Sequence, residues 1–144
     1  MFERYTAKAR RVIFMARYEV SQFGASAIET EHLLLGILRE EKSILPRFFP
    51  AHASIDLIRK RIEARVGIRE KIPTSLEVPL SAESKNVLWY GGEEADALSH
   101  GDIKPEHLLL GLLREEGSLG ANILRENGVE YSAVRRELER EGEE

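Results

Sequence analysis

The sequence predicts an all-α fold in which two related four-helix units pack into one compact eight-helix domain. The main observation is an internal repeat: residues 28–41 recur as residues 103–116, with 11 of 14 positions identical at a constant offset of 75. A repeat this dense indicates two copies of one structural unit. Apolar residues around both copies also recur at helical spacing. Because a unit of about 70 residues has little core of its own, we expect the two units to share a core and to be related by an approximate twofold axis.

The first unit is predicted to hold four helices. Thr6 can cap the first helix and Gly24 can end it, because glycine tolerates the left-handed conformation that follows a helix. Thr30 can cap the second helix, whose leucine triplet covers too wide an arc for a surface helix and therefore predicts burial. A short third helix ends at Pro50, and a fourth begins after Ser54.

The second unit repeats this plan after a connection rich in turn-forming residues. We assign residues 1–66 to the first unit, 67–80 to the connection, 81–140 to the second unit and 141–144 to an acidic tail that frays. Pro105 takes the place of Thr30, in the first turn of a helix, where proline is tolerated. A glycine inside each leucine-rich helix, Gly36 or Gly111, costs about 1 kcal/mol relative to alanine. We therefore expect another helix to approach closely at both glycines.

The composition describes an ordinary globular chain and excludes several classes of function. The 144 residues are 42% hydrophobic and 32% charged, with a net charge of −4. An acidic balance argues against nucleic acid as the main partner, and the lack of cysteine excludes disulfides and thiol nucleophiles. No apolar run approaches the about 20 residues that span a bilayer, and no secretory signal is visible at the start. We expect a cytoplasmic protein without nucleic-acid or membrane partners.

The duplicated string resembles a known family. Thr30 to Glu40 reads TEHLLLGILRE, Pro105 to Glu115 reads PEHLLLGLLRE, and the chain opens with FERYTAKARRV from Phe2 to Val12. These motifs are similar to the amino-terminal domain of the Clp ATPases, a double Clp N (Clp R) repeat, and the opening is nearest to the ClpC type. A glycine-rich phosphate loop ending in Gly-Lys-Ser/Thr does not occur. The chain thus lacks the ATPase modules, and we expect no cofactor and no enzymatic activity.

The resemblance implies a domain that recruits protein substrates or adaptor proteins to a Clp ATPase ring and its ClpP protease. Relatives of the ClpC type also bind phosphorylated arginine on tagged proteins, through a glutamate at the start of the second helix of each repeat. By position these glutamates are Glu31 and Glu106, with Thr30 and Lys104 beside them as further candidate ligand-binding residues. Because Pro105 replaces the threonine hydroxyl in the second copy, we expect Glu31 to be the stronger site.

The chemistry of a helix start supports this interpretation and leaves a second one open. Backbone N–H groups and the helix dipole attract an anion, and a carboxylate that faces solvent pairs with a guanidinium. A ligand with both charges would suit two related grooves at the starts of the second and sixth helices. The alternative is that each glutamate only complements the helix dipole, which contributes about 0.5 kcal/mol.

Two aromatic pairs form a candidate patch for protein partners. Phe14-Met15 and Trp89-Tyr90 occupy matching positions, off the inward faces of the first and fifth helices. Exposed aromatic side chains often anchor interfaces. These four residues are equally consistent with a role in filling the seam between the two units.

Other functions remain as alternatives. His32 and His107 are expected to form hydrogen bonds inside the fold, and adjacent Glu and His side chains on a helix point about 100° apart, so we expect no metal site. A small helical hydrolase would use the pairs Glu31/His32 and Glu106/His107 as acid–base groups in a deep cleft. A free-standing modulator of a Clp complex would occupy the place of an authentic amino-terminal domain.

Overall fold

The structure, a computed structural model, describes residues 2–143, with side chains through residue 142. Within that range the chain forms eight α-helices and two isolated β-bridges. The helices are α1 (Ala7–Phe23), α2 (Thr30–Glu40), α3 (Ile44–Phe48), α4 (Ile55–Val66), α5 (Ala82–Ala97), α6 (Pro105–Arg114), α7 (Leu119–Glu126) and α8 (Tyr131–Glu143). The predicted all-α class is confirmed.

The positions of the two β-bridges indicate an approximate twofold axis between the units. One bridge joins Tyr5 to Ile103 and the other joins Leu80 to Ile28, and both are parallel. An offset of 75 residues converts Tyr5 into Leu80 and Ile28 into Ile103, so exchanging the units converts each bridge into the other. The distances between the bonded backbone nitrogen and oxygen atoms agree as well, at 2.8 and 3.1 Å in the first bridge and 2.8 and 3.0 Å in the second.

The first bridge joins the two units, and the second joins the first unit to Leu80, the residue that ends the connection and corresponds to Tyr5 at the offset of 75. The segment before α1 pairs with the segment before α6, and the segment before α5 pairs with the segment before α2. Each leucine-rich helix therefore begins beside the start of a long helix from the opposite unit. This exchange determines which residues surround the candidate site at each helix start.

The leucine-rich helices α2 and α6 form the centre of the domain. Every residue from Thr30 to Leu38 and from Pro105 to Leu113 is buried. A Cβ added at Gly36 would lie 2.5 Å from the carbonyl oxygen of Val12, and one at Gly111 would lie 2.3 Å from that of Val87. Only glycine allows the backbones of α1 and α2, and of α5 and α6, to approach this closely, as the sequence predicted.

The start of α2 differs from the prediction. Thr30 is the first helical residue, and Glu29 is the N-cap. The Thr30 hydroxyl instead accepts a hydrogen bond from the backbone N–H of Gly120, at 3.0 Å, and so ties α2 to α7 in the other unit. Pro105 is the first residue of α6, as expected, with Lys104 as its N-cap.

The carboxyl-terminal residues also differ from the prediction. We expected an acidic tail from residue 141, but residues 141–143 continue α8. Glu141 pairs with Arg47 of α3 at 2.7 Å, which holds this end of α8 against the first unit. Residue 144 lies outside the described part of the chain. The connection between the units is not helical, and its backbone bonds to α1, from Ile72 N–H to the carbonyl oxygen of Ser21 at 3.1 Å.

Candidate functional site

Each leucine-rich helix begins with a histidine that completes its cap. His32 Nδ1 accepts the backbone N–H of Glu29 at 2.9 Å, and His107 Nδ1 accepts that of Lys104 at 2.8 Å. Because a backbone N–H can only donate, both rings must be neutral at Nδ1. Burial lowers the pKa of His32 and of His107 to about 4. The histidines are structural parts of the helix starts, as predicted, and their Nδ1 atoms are not available as catalytic bases.

The motif glutamates are buried. Glu31 and Glu106 are each only 8% exposed, so the expectation that they face solvent is wrong. The physical reason is packing around each helix start: the start of α1 lies beside Glu106, and residues of α1, α4 and the connection lie beside Glu31. A ligand would reach these carboxylates only at the back of a groove.

The Glu106 carboxylate has one paired oxygen and one unpaired oxygen. Its Oε2 lies 3.2 Å from Nη1 of Arg47, on α3 of the first unit. Its Oε1 is buried and has no hydrogen-bond partner among the described residues. Buried polar atoms without a partner are uncommon and often indicate a functional contact. This atom is a candidate acceptor for a donor on a ligand.

A cavity of about 390 Å³ opens at Glu106, and we call it the Glu106 groove. It is lined by Thr6, Ala7, Lys8, Glu41, Lys104, Pro105 and Glu106. The starts of α1 and α6 both contribute, so the groove receives the positive ends of two helix dipoles. The Lys8 ammonium pairs with Glu41 at 3.3 Å. The Glu106 groove thus offers cations and N–H groups beside two carboxylates, of which Glu41 is paired with Lys8.

The equivalent position around Glu31 is more acidic. A cavity of about 130 Å³ opens there, its lining includes Glu29, Glu31 and Arg69, and we call it the Glu31 groove. The offset of 75 residues replaces Lys8 by Glu83 and Lys104 by Glu29. Burial raises the pKa of Glu31, and the negative charges of Glu29 and Glu83 raise it further. The two sites therefore correspond in backbone, but the Glu106 groove has two lysines at positions where acidic residues lie near Glu31.

The four predicted ligand-binding residues do not form two equal sites. Lys104 and Glu106 line one cavity together. Glu31 lies among acidic neighbours, and Thr30 is buried with its hydroxyl engaged by α7. The assignment of the two grooves as ligand sites stays a prediction.

The aromatic candidates are divided between separate surfaces. Phe14 and Trp89 are 72% and 70% exposed, so they do not fill the seam between the units. Met15 and Tyr90 are half-buried. Trp89 lines a cavity of about 410 Å³ beside the amino-terminal segment, whereas Met15 lines a different cavity beside α4. The four residues are not one continuous patch.

Sequence reasoning missed a pair of buried glutamates. Glu19 on α1 and Glu94 on α5 are 1% and 4% exposed. Arg39 and Arg59 pair with Glu19, and Arg114 and Arg135 pair with Glu94. The available signal was the exact recurrence of Glu19 as Glu94 and of Arg39 as Arg114 at the offset of 75.

The structure adds two findings on other classes of site. Among the described residues, no group of three or more His, Asp or Glu side chains is arranged to hold a metal ion. Within the same range, no helix is both long enough and apolar enough to cross a membrane.

A family model decides the relationship of the chain. The Clp repeat (R) N-terminal domain matches residues 4–91 and again residues 79–144. The chain belongs to this family. The resemblance carried by the duplicated string is thereby confirmed.

Named relatives of this Clp repeat domain agree with that assignment. The chain is 37% identical over 139 residues to the chloroplastic ClpA homolog of Brassica napus, an ATP-binding subunit of the ATP-dependent Clp protease, covering 96% of this chain and 16% of that protein. It is 34% identical to the ClpA homolog of Porphyra purpurea, covering 96% and 17%. The chain thus spans about a sixth of the length of these relatives. Because one relative is chloroplastic by name, the cytoplasmic location stays a prediction.

A solved structure supports the fold. The N-terminal domain of the chaperone ClpD from Arabidopsis thaliana superposes with a TM-score of 0.76, covers 100% of this chain and 97% of that chain, and is 23% identical. The Clp repeat domain described here therefore has the architecture of a Clp N-terminal domain, two repeats packed as one body.

Proposed function

We propose that this Clp repeat domain binds protein substrates or adaptor proteins for a Clp ATPase ring and its ClpP protease, and catalyses no reaction itself. The family match and the names of the relatives support this role. The sequence contains no phosphate-binding loop, so ATP hydrolysis would belong to other parts of such an assembly. In each Glu–His pair the histidine Nδ1 is occupied by a backbone N–H, which argues against the hydrolase alternative.

The unpaired Oε1 of Glu106 is the observation that carries a more specific proposal. A guanidinium needs acceptors, and Arg47 engages only the other carboxylate oxygen. We infer that the Glu106 groove binds an arginine-derived group whose guanidinium donates to Oε1.

The rest of the Glu106 groove favours a ligand that also carries a negative charge. The geometry of a helix start leaves the N–H groups of Ala7 and Lys8 without acceptors inside α1. The Lys104 side chain lines the same cavity. A phosphate attached to the guanidinium would meet these N–H groups and cations, as anions commonly do at helix starts. Phosphoarginine has both charges in this arrangement.

The Glu31 groove is a poor site for the same ligand. Glu29 and Glu83 stand where the Glu106 groove has Lys104 and Lys8, and the cation that lines the Glu31 groove is Arg69. A phosphate would therefore meet carboxylates at the two positions where the Glu106 groove offers lysines. We therefore propose that the second copy of the motif is the principal site, the reverse of the expectation from the sequence.

Calorimetric titration with phosphoarginine tests this assignment on three proteins: the wild type, Glu106→Gln and the matched control Glu31→Gln. We expect Glu106→Gln to weaken binding about tenfold or more, because a charge-assisted contact becomes a neutral one. We expect Glu31→Gln to leave affinity unchanged. A loss of binding in Glu31→Gln with full binding in Glu106→Gln would overturn the assignment. Thermal unfolding of each variant separates loss of the contact from loss of the fold.

A further inference from the structure

The second unit contains an internal contact that the first unit lacks. In the second unit, the Tyr131 hydroxyl donates to the buried Glu94 carboxylate and lies 2.7 and 2.8 Å from its two oxygens. Arg114 and Arg135 lie 3.2 and 3.1 Å from the same carboxylate. Glu94 is thus surrounded by two guanidinium groups and one phenol.

The first unit has the two arginines and not the phenol. Glu19 takes the place of Glu94 and pairs with Arg39, at 3.3 Å, and with Arg59. The first residue of α4 is Ile55, and the first residue of α8 is Tyr131. Each is followed four residues later by the arginine that reaches the buried glutamate. Ile55 therefore stands in the place of Tyr131 and offers no donor.

A cavity lies beside Glu19 and Ile55 in the first unit. It has a volume of about 530 Å³, and Glu19, Arg39, Arg59, Ile55, Met15 and Tyr18 are among its lining residues. The offset also places Met15 where the second unit has Tyr90. Two tyrosines of the second unit are thus replaced by smaller or more flexible side chains around this cavity, which we call the Glu19 cavity.

The Glu19 carboxylate can accept more hydrogen bonds than it receives. Each carboxylate oxygen has two acceptor positions, and each oxygen of Glu19 has one arginine partner. The side chain is 1% exposed, so a further donor would have to reach it through the Glu19 cavity. A further donor at this position should be neutral, because the two arginines already exceed the single negative charge of the carboxylate and would repel a cation.

We propose that the Glu19 cavity binds the tyrosine side chain of a protein partner, with the phenol hydroxyl donating to Glu19 as Tyr131 donates to Glu94. The ring would lie against Ile55, Met15 and Tyr18. The guanidinium of Arg39 already lies 5.6 Å from the centre of the Tyr18 ring, and an arginine in this position can also face a second ring. This site is independent of the Glu106 groove and does not require the function proposed for it.

Nuclear magnetic resonance titration of the isotope-labelled protein tests the proposal directly. The probes are N-acetyl-tyrosinamide and, as the matched control without a hydroxyl, N-acetyl-phenylalaninamide. We expect saturable shifts of the backbone amides around Glu19 with the tyrosine probe, and binding of the phenylalanine probe that is about tenfold weaker or undetectable. Equal responses to the two probes, or no response to either, would overturn the proposal.

A pair of variants extends the test. Ile55→Tyr would supply the phenol from within the chain, so we expect it to abolish binding of the tyrosine probe; Ile55→Phe fills the same space without a hydroxyl. If Ile55→Tyr still binds the probe at wild-type affinity, the site is not the Glu19 cavity. The comparison of probes on the wild type does not depend on either variant folding. Binding of free p-cresol without binding of N-acetyl-tyrosinamide would assign the cavity to small phenols and reject a tyrosine of a partner.

Discussion

Single residues show how much the fold depends on charges inside it. Glu19 and Glu94 are almost completely buried, and each is held by two arginines from other helices. Removing one member of a buried ion pair is costly, because the remaining charge stays desolvated without a partner. The ion pairs of Glu19 connect α1 to α2 and α4, and those of Glu94 connect α5 to α6 and α8.

Glu94→Gln should lower the free energy of unfolding by about 2 kcal/mol, because Arg114 and Arg135 would then face a neutral amide. Urea unfolding measures the change. The matched control is Glu93→Gln, one residue earlier, where the carboxylate is half exposed and pairs with Arg114 alone. The control should change stability by less than about 0.5 kcal/mol. Similar losses in both variants would contradict the role assigned to burial.

His32 and His107 should make stability depend on pH. Burial lowers the pKa of each folded-state imidazole to about 4, whereas an unfolded histidine titrates near 6.5. The unfolded state therefore binds more protons, so the stabilisation is complete above about pH 6.5 and is lost as pH falls toward 4. Between pH 7 and pH 5 we expect a loss on the order of 1–2 kcal/mol per histidine.

The matched variant for this prediction carries glutamine at both histidines. Glutamine at the third helical position accepts the same N-cap N–H and has no charge to titrate. Urea unfolding of the double variant His32→Gln/His107→Gln should show a flatter pH profile from pH 7 to pH 5. An unchanged profile would mean that other groups cause the dependence.

The close packing of α1 on α2 and of α5 on α6 depends on one glycine contact in each pair. Gly36 faces the carbonyl oxygen of Val12, and Gly111 faces that of Val87. Alanine is the better helix former by about 1 kcal/mol, so glycine at these positions lowers the stability of the helix itself. The gain is the close approach that buries α2 and α6 on all sides.

Gly111→Ala should destabilise the domain by about 2 kcal/mol despite that better helix propensity, because its Cβ would lie 2.3 Å from backbone that cannot move alone. The control is Gly92→Ala on α5, where the nearest atom to an added Cβ is a methyl carbon of Ile103 at 3.8 Å. This control should stabilise the protein by about 0.5 kcal/mol. Urea unfolding measures both changes, and the same sign in both variants would contradict the close-contact explanation.

Helix identity and most caps can be predicted from the sequence. Thr6 accepts a backbone N–H as the predicted cap of α1, and Ser54, Ser81 and Ser118 cap α4, α5 and α7 in the same way. Thr30 fails as a cap because its hydroxyl is used by Gly120, which is 90 residues away in sequence. Local patterns report local bonds, and they cannot show that a distant helix competes for the same side chain.

At the scale of the whole molecule, the two units depend on each other. The first β-bridge joins the units, α2 packs against α6 and α7, and Arg47 of the first unit pairs with Glu106 and Glu141 of the second. The sides of α2 and α6 that pack between the units would be exposed in an isolated unit. The domain should therefore unfold as one cooperative body.

Residues 1–77 and 78–144, produced separately, should each lack cooperative unfolding, because each exposes a leucine-rich helix that the other covers. Circular dichroism during heating measures this property, and the intact chain is the control. Mixing the two fragments should restore helical signal and a cooperative transition. A separate fragment with a sharp transition of its own would contradict the dependence.

The candidate site was less predictable than the fold for a reason of topology. The repeat predicted two equivalent glutamates, and the offset already contained the exchange of Lys8 for Glu83 and of Lys104 for Glu29. The meaning of that exchange depends on Lys8 lying beside Glu106 of the other unit. No pattern in the sequence shows which helix starts meet across the units.

The crossed bridges have a consequence for how the two halves can diversify. A dimer of identical subunits with this geometry would have to carry every substitution in both of its clefts. Joining the halves into one polypeptide removes that constraint, because the residues around each cleft can then be substituted separately. One covalent chain can therefore keep a symmetric scaffold while the residues around its two clefts come to differ in charge.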